Sequence, residues 1–353
     1  MNVVRQKAGH PARRRRGNQA NRRRRQVDRV IAALDLGTNN CRLLIARVQP
    51  GGFRVIDGFS RIVRLGEGLD ASDRLSQAAM DRTKAALVVC AEKIKRRSVT
   101  SGRYVATEAC RRAKNGEDFL ASIEKETGLQ LEIIPSREEA ELTLTGCIPL
   151  LDPAIPYALT FDVGGGSAEI LWVKLHQARS PEVVGLISLP CGVVTMTERY
   201  GQPEITAEGY RTMVSDVEAM LRPFDRQHEI SAAIARGEVQ MLGTAGTVTT
   251  IAGVHMKLPR YNRAIVDGTW LDFEALGSIS HMLVTSNFAE RAAHACIGQG
   301  RAELVVAGCG ILEAVCSTWQ AGRLRVADRG VREGILLALS GAANRGGAAL
   351  VST

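Results

Sequence analysis

The feature that most constrains the fold of this chain is a pattern that occurs twice: an apolar run, an Asp-x-Gly turn followed by polar residues, and a second apolar run. The first copy covers residues 30–48, with DLGTNN at 35–40. The second covers residues 157–173, with DVGGGS at 162–167. Apolar runs that enter a glycine turn are typical of buried strands, so each copy predicts a pair of antiparallel strands. The repetition predicts a duplicated domain plan.

The segments around these two hairpins alternate between helical and strand patterns. Apolar residues recur at helical spacing in six segments: 75–97, 108–113, 116–127, 137–145, 302–314 and 331–339. Further strands are predicted at 53–57, 104–107 and 131–134. With 353 residues, 45% of them hydrophobic, the chain is long enough for two domains. These patterns together predict an α/β protein.

Positive charge is concentrated at the start of the chain. The formal net charge is +9, but residues 1–29 alone hold eleven Lys or Arg and one Asp, so the remainder is close to neutral. This arm has almost no apolar residues and is expected to be disordered. It is either a solvated tail or an arm that binds a polyanion, such as nucleic acid or a phosphate polymer. A transit peptide or secretory signal is disfavoured, because the run is neither amphipathic nor followed by an apolar segment.

The cysteines indicate a reducing compartment, and the histidines disfavour a histidine-based metal site. The eight cysteines form no C-x-x-C pair and have mostly apolar neighbours, which favours buried free thiols in a reducing cytoplasm. The six histidines show no metal-binding spacing. No apolar run reaches the length needed to span a membrane. The sequence therefore predicts a cytoplasmic protein without membrane contact.

The polar turns of the two hairpins suit the binding of phosphate. Glycine lets backbone N–H groups converge on an anion, and Ser or Thr adds a hydroxyl donor. An Asp at the end of the preceding strand repels a bare anion, but it fits if it holds a divalent cation against the phosphate. A third glycine turn, GTAGT at 243–247, follows another apolar stretch and opens a helix. One such turn is a weak signal, whereas three of them predict a phosphate site.

Six segments, in order, resemble motifs of the exopolyphosphatase/guanosine pentaphosphate phosphatase family. They are residues 35–43, 106–111, 133–140, 162–169, 243–247 and 325–334. The resemblance implies two similar domains of the actin, heat-shock ATPase and sugar-kinase type (ribonuclease H-like), with the active site in the cleft between them. It implies domain I at 30–143 and domain II at 144–353, after the arm at 1–29. A helix at about 331–345 is expected to pack back on domain I.

The resemblance implies that Glu139 is the general base that activates water and that Arg111 neutralises phosphate charge. Spacing alone favours a helix cap for Glu139, because Ser136 at the N-cap followed by this Glu would form a capping box. On the same basis Arg111 would be a solvated surface residue. The family pattern favours catalysis by Glu139. It also selects Glu139 over Glu138, since one helical step of about 100° separates the two side chains.

The resemblance also implies ligands for phosphate and for a cation. The phosphate-binding residues are expected to be Gly37, Thr38, Asn39, Asn40, Gly164, Gly165, Gly166, Ser167, Gly243, Gly246, Thr247 and Arg301. The cation is expected to be Mg²⁺ (or Mn²⁺), with Asp162, Glu169 and Asp35 as its acids. Asp162 and Glu169 flank a glycine hairpin, which can bring both to one end. The alternative for Glu169 is an exposed strand residue.

The leading functional hypothesis is an exopolyphosphatase that releases orthophosphate from inorganic polyphosphate by Mg²⁺-assisted attack of water. The closest alternative is a phosphatase that converts guanosine 5′-triphosphate 3′-diphosphate (pppGpp) to ppGpp. A non-catalytic sensor of polyphosphate or nucleic acid belongs to another class, and intact Glu139, Asp162 and Glu169 speak against it. A sugar or acetate kinase on the same fold is disfavoured by the 138–140 segment. A homodimer is expected.

Overall fold

The computed structural model describes residues 29–177, 180–201 and 204–341. Its strands are β1 (Val30–Leu36), β2 (Asn40–Gln49), β3 (Gly52–Ile62), β4 (Ser101–Ala106), β5 (Leu131–Ile133), β6 (Tyr157–Val163), β7 (Ala168–Lys174), β8 (Glu182–Leu189), β9 (Val239–Thr244), β10 (Trp270–Asp272) and β11 (Arg323–Val326). The predicted arm, except for Arg29, and positions 342–345 of the predicted last helix lie outside the described residues.

Helices separate most of these strands. They are α1 (Leu69–Ser72), α2 (Gln77–Arg96), α3 (Glu108–Arg112), α4 (Gly116–Thr127), α5 (Ser136–Cys147), α6 (Val193–Tyr200), α7 (Ala207–His228), α8 (Ile230–Ala235), α9 (Ala245–His255), α10 (Arg263–Val266), α11 (Phe273–Thr285), α12 (Phe288–Ala293), α13 (Gln299–Ala302), α14 (Val305–Thr318) and α15 (Val331–Ser340). A short 3-10 turn, Ile148–Leu150, follows α5. None of the helices in the described ranges is both long and apolar enough to cross a bilayer.

The strands form two mixed sheets with the same plan. The first has the order β3-β2-β1-β4-β5 and the second the order β10-β11-β9-β6-β7-β8. β1 pairs antiparallel with β2 and parallel with β4, and β6 pairs in the same way with β7 and β9. β11 takes the place of β5, and β10 is an added edge strand. The predicted α/β fold with two similar units is confirmed.

Even the irregularities of the two sheets correspond. β3 has one extra residue opposite the step from Ile45 to Ala46, and β8 has one opposite the step from Trp172 to Val173. Both steps begin ten residues after the Asp of the hairpin. A bulge bends its strand and increases the local twist, so the two hairpins bend at corresponding places.

Strand β1 is covered on both faces, which explains its continuous apolar run. On one face Leu34 belongs to an apolar cluster with Leu87 of α2 and Phe119 of α4. On the other face Ile31 belongs to a cluster with Ile335 of α15. The last described helix therefore packs on the first sheet, although it follows the second sheet in the chain.

Helices α5 and α15 cross at the junction of the two sheets. Helix α5 packs against the second sheet through Leu144. A side chain at Gly334 of α15 would collide with the Leu142 carbonyl of α5, so this close approach requires glycine. The crossing fixes the start of α5, where Glu139 lies, between the two sheets.

Some local predictions are wrong, and some elements were missed. Pro135 is the N-cap of α5 and Ser136 is its first helical residue, so Ser136 does not cap the helix. The predicted helix at 302–314 is two helices, and the second begins only at Val305. The long helix α7, which contains Pro223, was not predicted from the sequence. Proline argues against a helix interior when only the sequence is known.

Candidate active site

A cavity of about 450 Å³ lies where the turns of the β1–β2 and β6–β7 hairpins meet. Fifteen of the predicted site residues line it: Asp35, Gly37, Thr38, Asn39, Asn40, Glu139, Asp162, Gly164, Gly165, Gly166, Ser167, Glu169, Gly246, Thr247 and Arg301. The structure thus brings together residues from both hairpins, from α5 and from α9. The two predicted residues that do not line the cavity are Arg111 and Gly243.

The two hairpin turns are closed by the same bond and touch each other. The Gly37 N–H donates to the Asn40 carbonyl at 2.9 Å, and the Gly164 N–H donates to the Ser167 carbonyl at 2.9 Å. The turns approach so closely that a β-carbon added to the neighbouring Gly165 would lie 2.9 Å from the Cβ of Thr38 across the cleft. Glycine in the second turn is therefore what allows the two turns to face one another.

Helix α6 orients the backbone of the second turn. The Gly164 carbonyl accepts a hydrogen bond from the Val193 N–H at 2.9 Å, and the Gly165 carbonyl accepts one from the Val194 N–H at 2.8 Å. Both carbonyl oxygens are therefore bound to the start of α6. A glycine backbone turned in this way is suited to an anion.

The third glycine turn contributes a helix N-terminus. Gly246 and Thr247 lie in the first turn of α9, and the N–H groups at the start of a helix favour an anion. Gly243 lies in strand β9, before this helix begins. A β-carbon added there would come within 2.6 Å of the Phe161 ring. This glycine packs inside the second sheet, so the structure does not place it with the other predicted phosphate ligands.

Arg111 does not line the cavity, but it binds the carboxylates of two residues that do, Glu108 and Glu139. Its guanidinium donates to Glu139 Oε2 at 3.3 Å, to Glu108 Oε2 at 2.6 Å and to the Ile134 carbonyl at 2.6 Å. Glu108 lines the cavity, and the sequence analysis did not single it out. No side chain caps α5, so the capping role considered for Glu139 is wrong. The contact with Arg111 instead fixes the direction of the Glu139 carboxylate.

The acids of the cavity repel one another. Burial raises the pKa of Glu139 well above its usual value, the charge of Glu169 adds to this, and Arg111 opposes it. Burial raises the pKa of Asp162 to about 7, again with a contribution from Glu169. Burial likewise raises the pKa of Asp35. A cation among these carboxylates would relieve both effects.

Glu169 is a buried residue of the site, and hydrogen bonds hold its side chain in place. Its side chain is 3% exposed, and its Oε1 accepts hydrogen bonds from the hydroxyls of Ser167 at 2.6 Å and Ser188 at 2.9 Å. The alternative of an exposed strand residue is therefore wrong. Burial raises the pKa of Glu169, and the two hydroxyl donors oppose this rise because they stabilise the ionised carboxylate.

The donor set fits an open Mg²⁺ site. Within the described ranges, no group of three or more His, Cys, Asp and Glu side chains is arranged to hold a metal ion. Mg²⁺ usually takes one or two carboxylates and completes its shell with water and phosphate oxygens. Asp162 and Glu169, with Asp35 in the same cavity, match that preference.

Four arginines to which the sequence analysis gave no role line the same cavity: Arg42, Arg263, Arg329 and Arg332. Two of them are held by carboxylates. Arg263 donates to Glu333 at 2.6 Å, and Arg329 donates to Asp267 at 2.8 Å. Arg42 and Arg332 lie near Asp35, where their charges lower its pKa against the larger effect of burial. For Arg42, Arg329 and Arg332 the available signal was their place in the motif segments 35–43 and 325–334, whereas Arg263 lies outside all six segments.

A family model described as the Ppx/GppA phosphatase family matches residues 44–342. The chain belongs to this family. The match includes Glu139, the whole second hairpin and α9, so the resemblance on which the site was predicted is confirmed at the level of the family.

Known Ppx/GppA proteins resemble the chain over nearly its whole described length. Exopolyphosphatase 2 of Mycobacterium tuberculosis is 33% identical over 326 residues, which cover 88% of this chain and 98% of the relative. The crystal structure of an Aquifex aeolicus Ppx/GppA family member is 27% identical with a TM-score of 0.72, covering 88% and 97%. The crystal structure of an exopolyphosphatase from Cytophaga hutchinsonii is 22% identical with a TM-score of 0.79, covering 89% and 98%. This last likeness supports the fold alone.

Proposed function

We propose that this chain is an exopolyphosphatase that removes the terminal phosphate of inorganic polyphosphate by attack of water. The observation that carries the proposal is the position of Glu139, which lines one cavity with both glycine turns. A carboxylate beside a phosphate cradle is placed to accept a proton from an attacking water. The name of the Mycobacterium tuberculosis relative supports the same substrate.

In the proposed reaction the terminal phosphoryl group lies against the two turns. Backbone N–H groups and the side chains of Thr38 and Asn39 donate to its oxygens, which carry more charge in the transition state. Glu139 takes a proton from the attacking water, a new P–O bond forms, and the bond to the remaining polyphosphate chain breaks. Arg111 keeps the Glu139 carboxylate in place during this step.

We propose that Asp162 and Glu169, with Asp35, hold Mg²⁺ or Mn²⁺. When bound there, the cation would supply neutralisation of phosphate charge and polarisation of the P–O bonds. Removal of divalent cations by a chelator is expected to abolish phosphate release, and added Mg²⁺ is expected to restore it. Full activity in the presence of the chelator would contradict this assignment.

The experiment that tests the proposal measures phosphate release from long polyphosphate, short polyphosphate and pppGpp. Glu139→Gln is expected to lower the rate on the order of 10³-fold, as for loss of a general base. Glu138→Gln is the matched control, since Glu138 lies outside the cavity and pairs with Arg103 at 2.6 Å. An unchanged rate for Glu139→Gln on all three substrates would overturn the mechanism. A wild type that hydrolyses none of them would favour the non-catalytic sensor.

A pppGpp 5′-phosphatase is the second candidate, and the cavity wall offers one observation in its favour. Tyr261 lines the cavity and donates to Asp328 at 2.6 Å, and Arg301 donates to Thr250 at 3.0 Å beside it. An aromatic ring near an arginine is a surface on which a nucleobase can stack. A kcat/KM for pppGpp that exceeds the value for polyphosphate would select this candidate.

We also propose that the arginine-rich arm at 1–29 contacts long polyphosphate. The support is its charge, eleven basic residues against one acid. Deletion of the arm is expected to weaken the binding of long chains, most strongly at low ionic strength. An unchanged affinity and salt dependence would return the arm to the status of a solvated tail.

The remaining proposals concern location and assembly. All eight cysteines are buried and free of disulfides, which supports a reducing, cytoplasmic location. A homodimer and the division into 30–143 and 144–353 follow the family resemblance. Light scattering and limited proteolysis, respectively, would test them.

A further inference from the structure

A second, small cavity adjoins the main one, and Asp162 lines both. The volume of this cavity is only about 10 Å³, which is at or below the space that one water molecule needs. Thr143 of α5 and Asp162 of β6 line it, with apolar neighbours that include Leu144 and Leu171. Thr143 follows Glu139 by four residues, so the two share one face of α5.

The two threonines of α5 use their hydroxyls differently. Thr145 donates to the Glu141 carbonyl at 2.8 Å, the bond to the preceding turn that a helical threonine commonly makes. Thr143 is 5% exposed, yet its hydroxyl makes no such bond and has no partner at normal hydrogen-bond geometry in the described residues. A buried hydroxyl without a partner is costly, so its direction needs an explanation.

The polar group that the Thr143 hydroxyl approaches is the Asp162 carboxyl. Burial and the charge of Glu169 raise the pKa of Asp162, and the Thr143 hydroxyl acts in the opposite direction as a hydrogen-bond donor. The geometric observation is that both groups line the same small cavity. The hydroxyls of Thr160 and Thr244 also line this cavity, but an ionised carboxylate is a stronger acceptor than a hydroxyl, so Asp162 is the preferred partner.

We propose that Thr143 is a positioning residue for Asp162: its hydroxyl donates to the carboxylate from the small cavity and fixes the oxygen that faces the main cavity. Helix α5 then sets two groups of the site at once, because it carries both Glu139 and the donor to Asp162. The kinetic consequence rests on the proposed function, whereas the hydrogen bond itself does not.

The test compares Thr143→Val, which keeps the shape and removes the donor, with Thr143→Ser, which keeps the donor. Thr145→Val is the matched control on the same helix. With polyphosphate as substrate, Thr143→Val is expected to lower kcat about tenfold, as for loss of a residue that orients a ligand, with KM changed less than about twofold. Thr143→Ser is expected to recover most of kcat, and Thr145→Val to match the wild type. Thermal unfolding checks that all three variants are folded.

A wild-type kcat for Thr143→Val, no recovery in Thr143→Ser, or an equal loss in Thr145→Val would overturn the proposal. A crystal structure of the wild type gives a second measurement, independent of activity. The distance from Thr143 Oγ1 to the nearer Asp162 oxygen is expected to be at most about 3.2 Å, and a distance beyond about 3.5 Å overturns the proposal. A wild type that releases no phosphate contradicts the proposed function instead, and the crystallographic distance still decides the role of Thr143.

Discussion

The two hairpins that meet at the cavity share a backbone and differ in side chains. Both turns are closed by a glycine N–H that donates to a carbonyl at 2.9 Å, and both hairpins bulge ten residues after the Asp. The first turn carries Thr38, Asn39 and Asn40, whereas the second carries three glycines and Ser167. The backbone plan is duplicated, but the side chains differ, so we expect the first hairpin to supply side-chain donors to phosphate and the second to supply mainly backbone N–H groups.

The acids of the two hairpins differ in the charges that surround them. Asp35 lies near the cations of Arg42 and Arg332. After burial, the main influence on Asp162 is the negative charge of Glu169, and it shares Arg42 only as a smaller effect. The second hairpin therefore has the greater need for an added cation, which is why we place the proposed Mg²⁺ there.

The largest expected effect tests this difference between the two acids. Asp162→Asn is expected to lower phosphate release by two to three orders of magnitude, because loss of a metal-holding carboxylate costs several kcal/mol of transition-state stabilisation. Asp35→Asn is expected to cost about tenfold, since two arginines already lie beside it. The rates of both variants, measured over a range of Mg²⁺ concentrations, make the comparison. A greater loss in Asp35→Asn would reverse the assignment.

A smaller effect is expected where the turns touch. Gly165→Ala is expected to lower kcat on the order of 10-fold to 100-fold, because its new methyl group would press on Thr38 and move the turns apart. Gly277→Ala is the matched control: it lies exposed on α11 with nothing within 4 Å of the added carbon. The control should keep its activity and gain stability by up to about 1 kcal/mol. Equal activities of the two variants would show that the turns tolerate separation.

The smallest expected effect is on the free energy of unfolding and arises at the bulge of the first sheet. Asp57 stands at the bulge of the first sheet where Gly185 stands in the second. Hydrogen bonds from Lys93 and then Arg97, which outweigh the opposing effect of burial, lower the pKa of Asp57 to about 2. Since the unfolded value is about 3.9, the stabilisation is present above that pH and is lost as the pH falls through about 2.

Asp57→Asn is therefore expected to lower the free energy of unfolding by about 1 kcal/mol at pH 7. The difference from wild type should shrink between pH 4 and pH 2. Urea unfolding at several pH values measures it, with Asp81→Asn on the exposed side of α2 as the control. A difference that does not change with pH would mean that the ion pairs of Asp57 do not contribute.

The sequence predicts best what depends on neighbours in the chain. Helix α4 has the bounds that its apolar spacing predicts, 116–127, and both hairpins follow from apolar runs that meet a glycine turn. The same local signal misleads at Gly243, because glycine serves equally for phosphate contact and for packing against an aromatic ring. The prediction of Ser136 as the N-cap of α5 is wrong for a similar reason: serine is common at that position, but here the helix begins one residue earlier and Pro135 is the N-cap.

What the sequence does not predict are contacts made across the fold. The family resemblance implies that the last helix packs back on domain I, but it does not indicate that Arg332 of α15 then approaches Asp35. Thr143 and Asp162 become neighbours only once α5 lies on β6. Glu108 is an intermediate case, because its spacing of three residues from Arg111 permits a helical ion pair, but nothing local shows that the pair also holds Glu139.

The packing of α15 on β1 has a consequence for synthesis of the chain. The first sheet leaves the ribosome long before residues 331–340, which cover the face that holds Ile31. Until then that face is exposed, and Arg332 is missing from the cavity. A nascent chain therefore passes through a stage in which apolar surface is open to chaperones or to aggregation. Neither half of the site can mature alone, so activity should arise only after almost the whole described chain has been made.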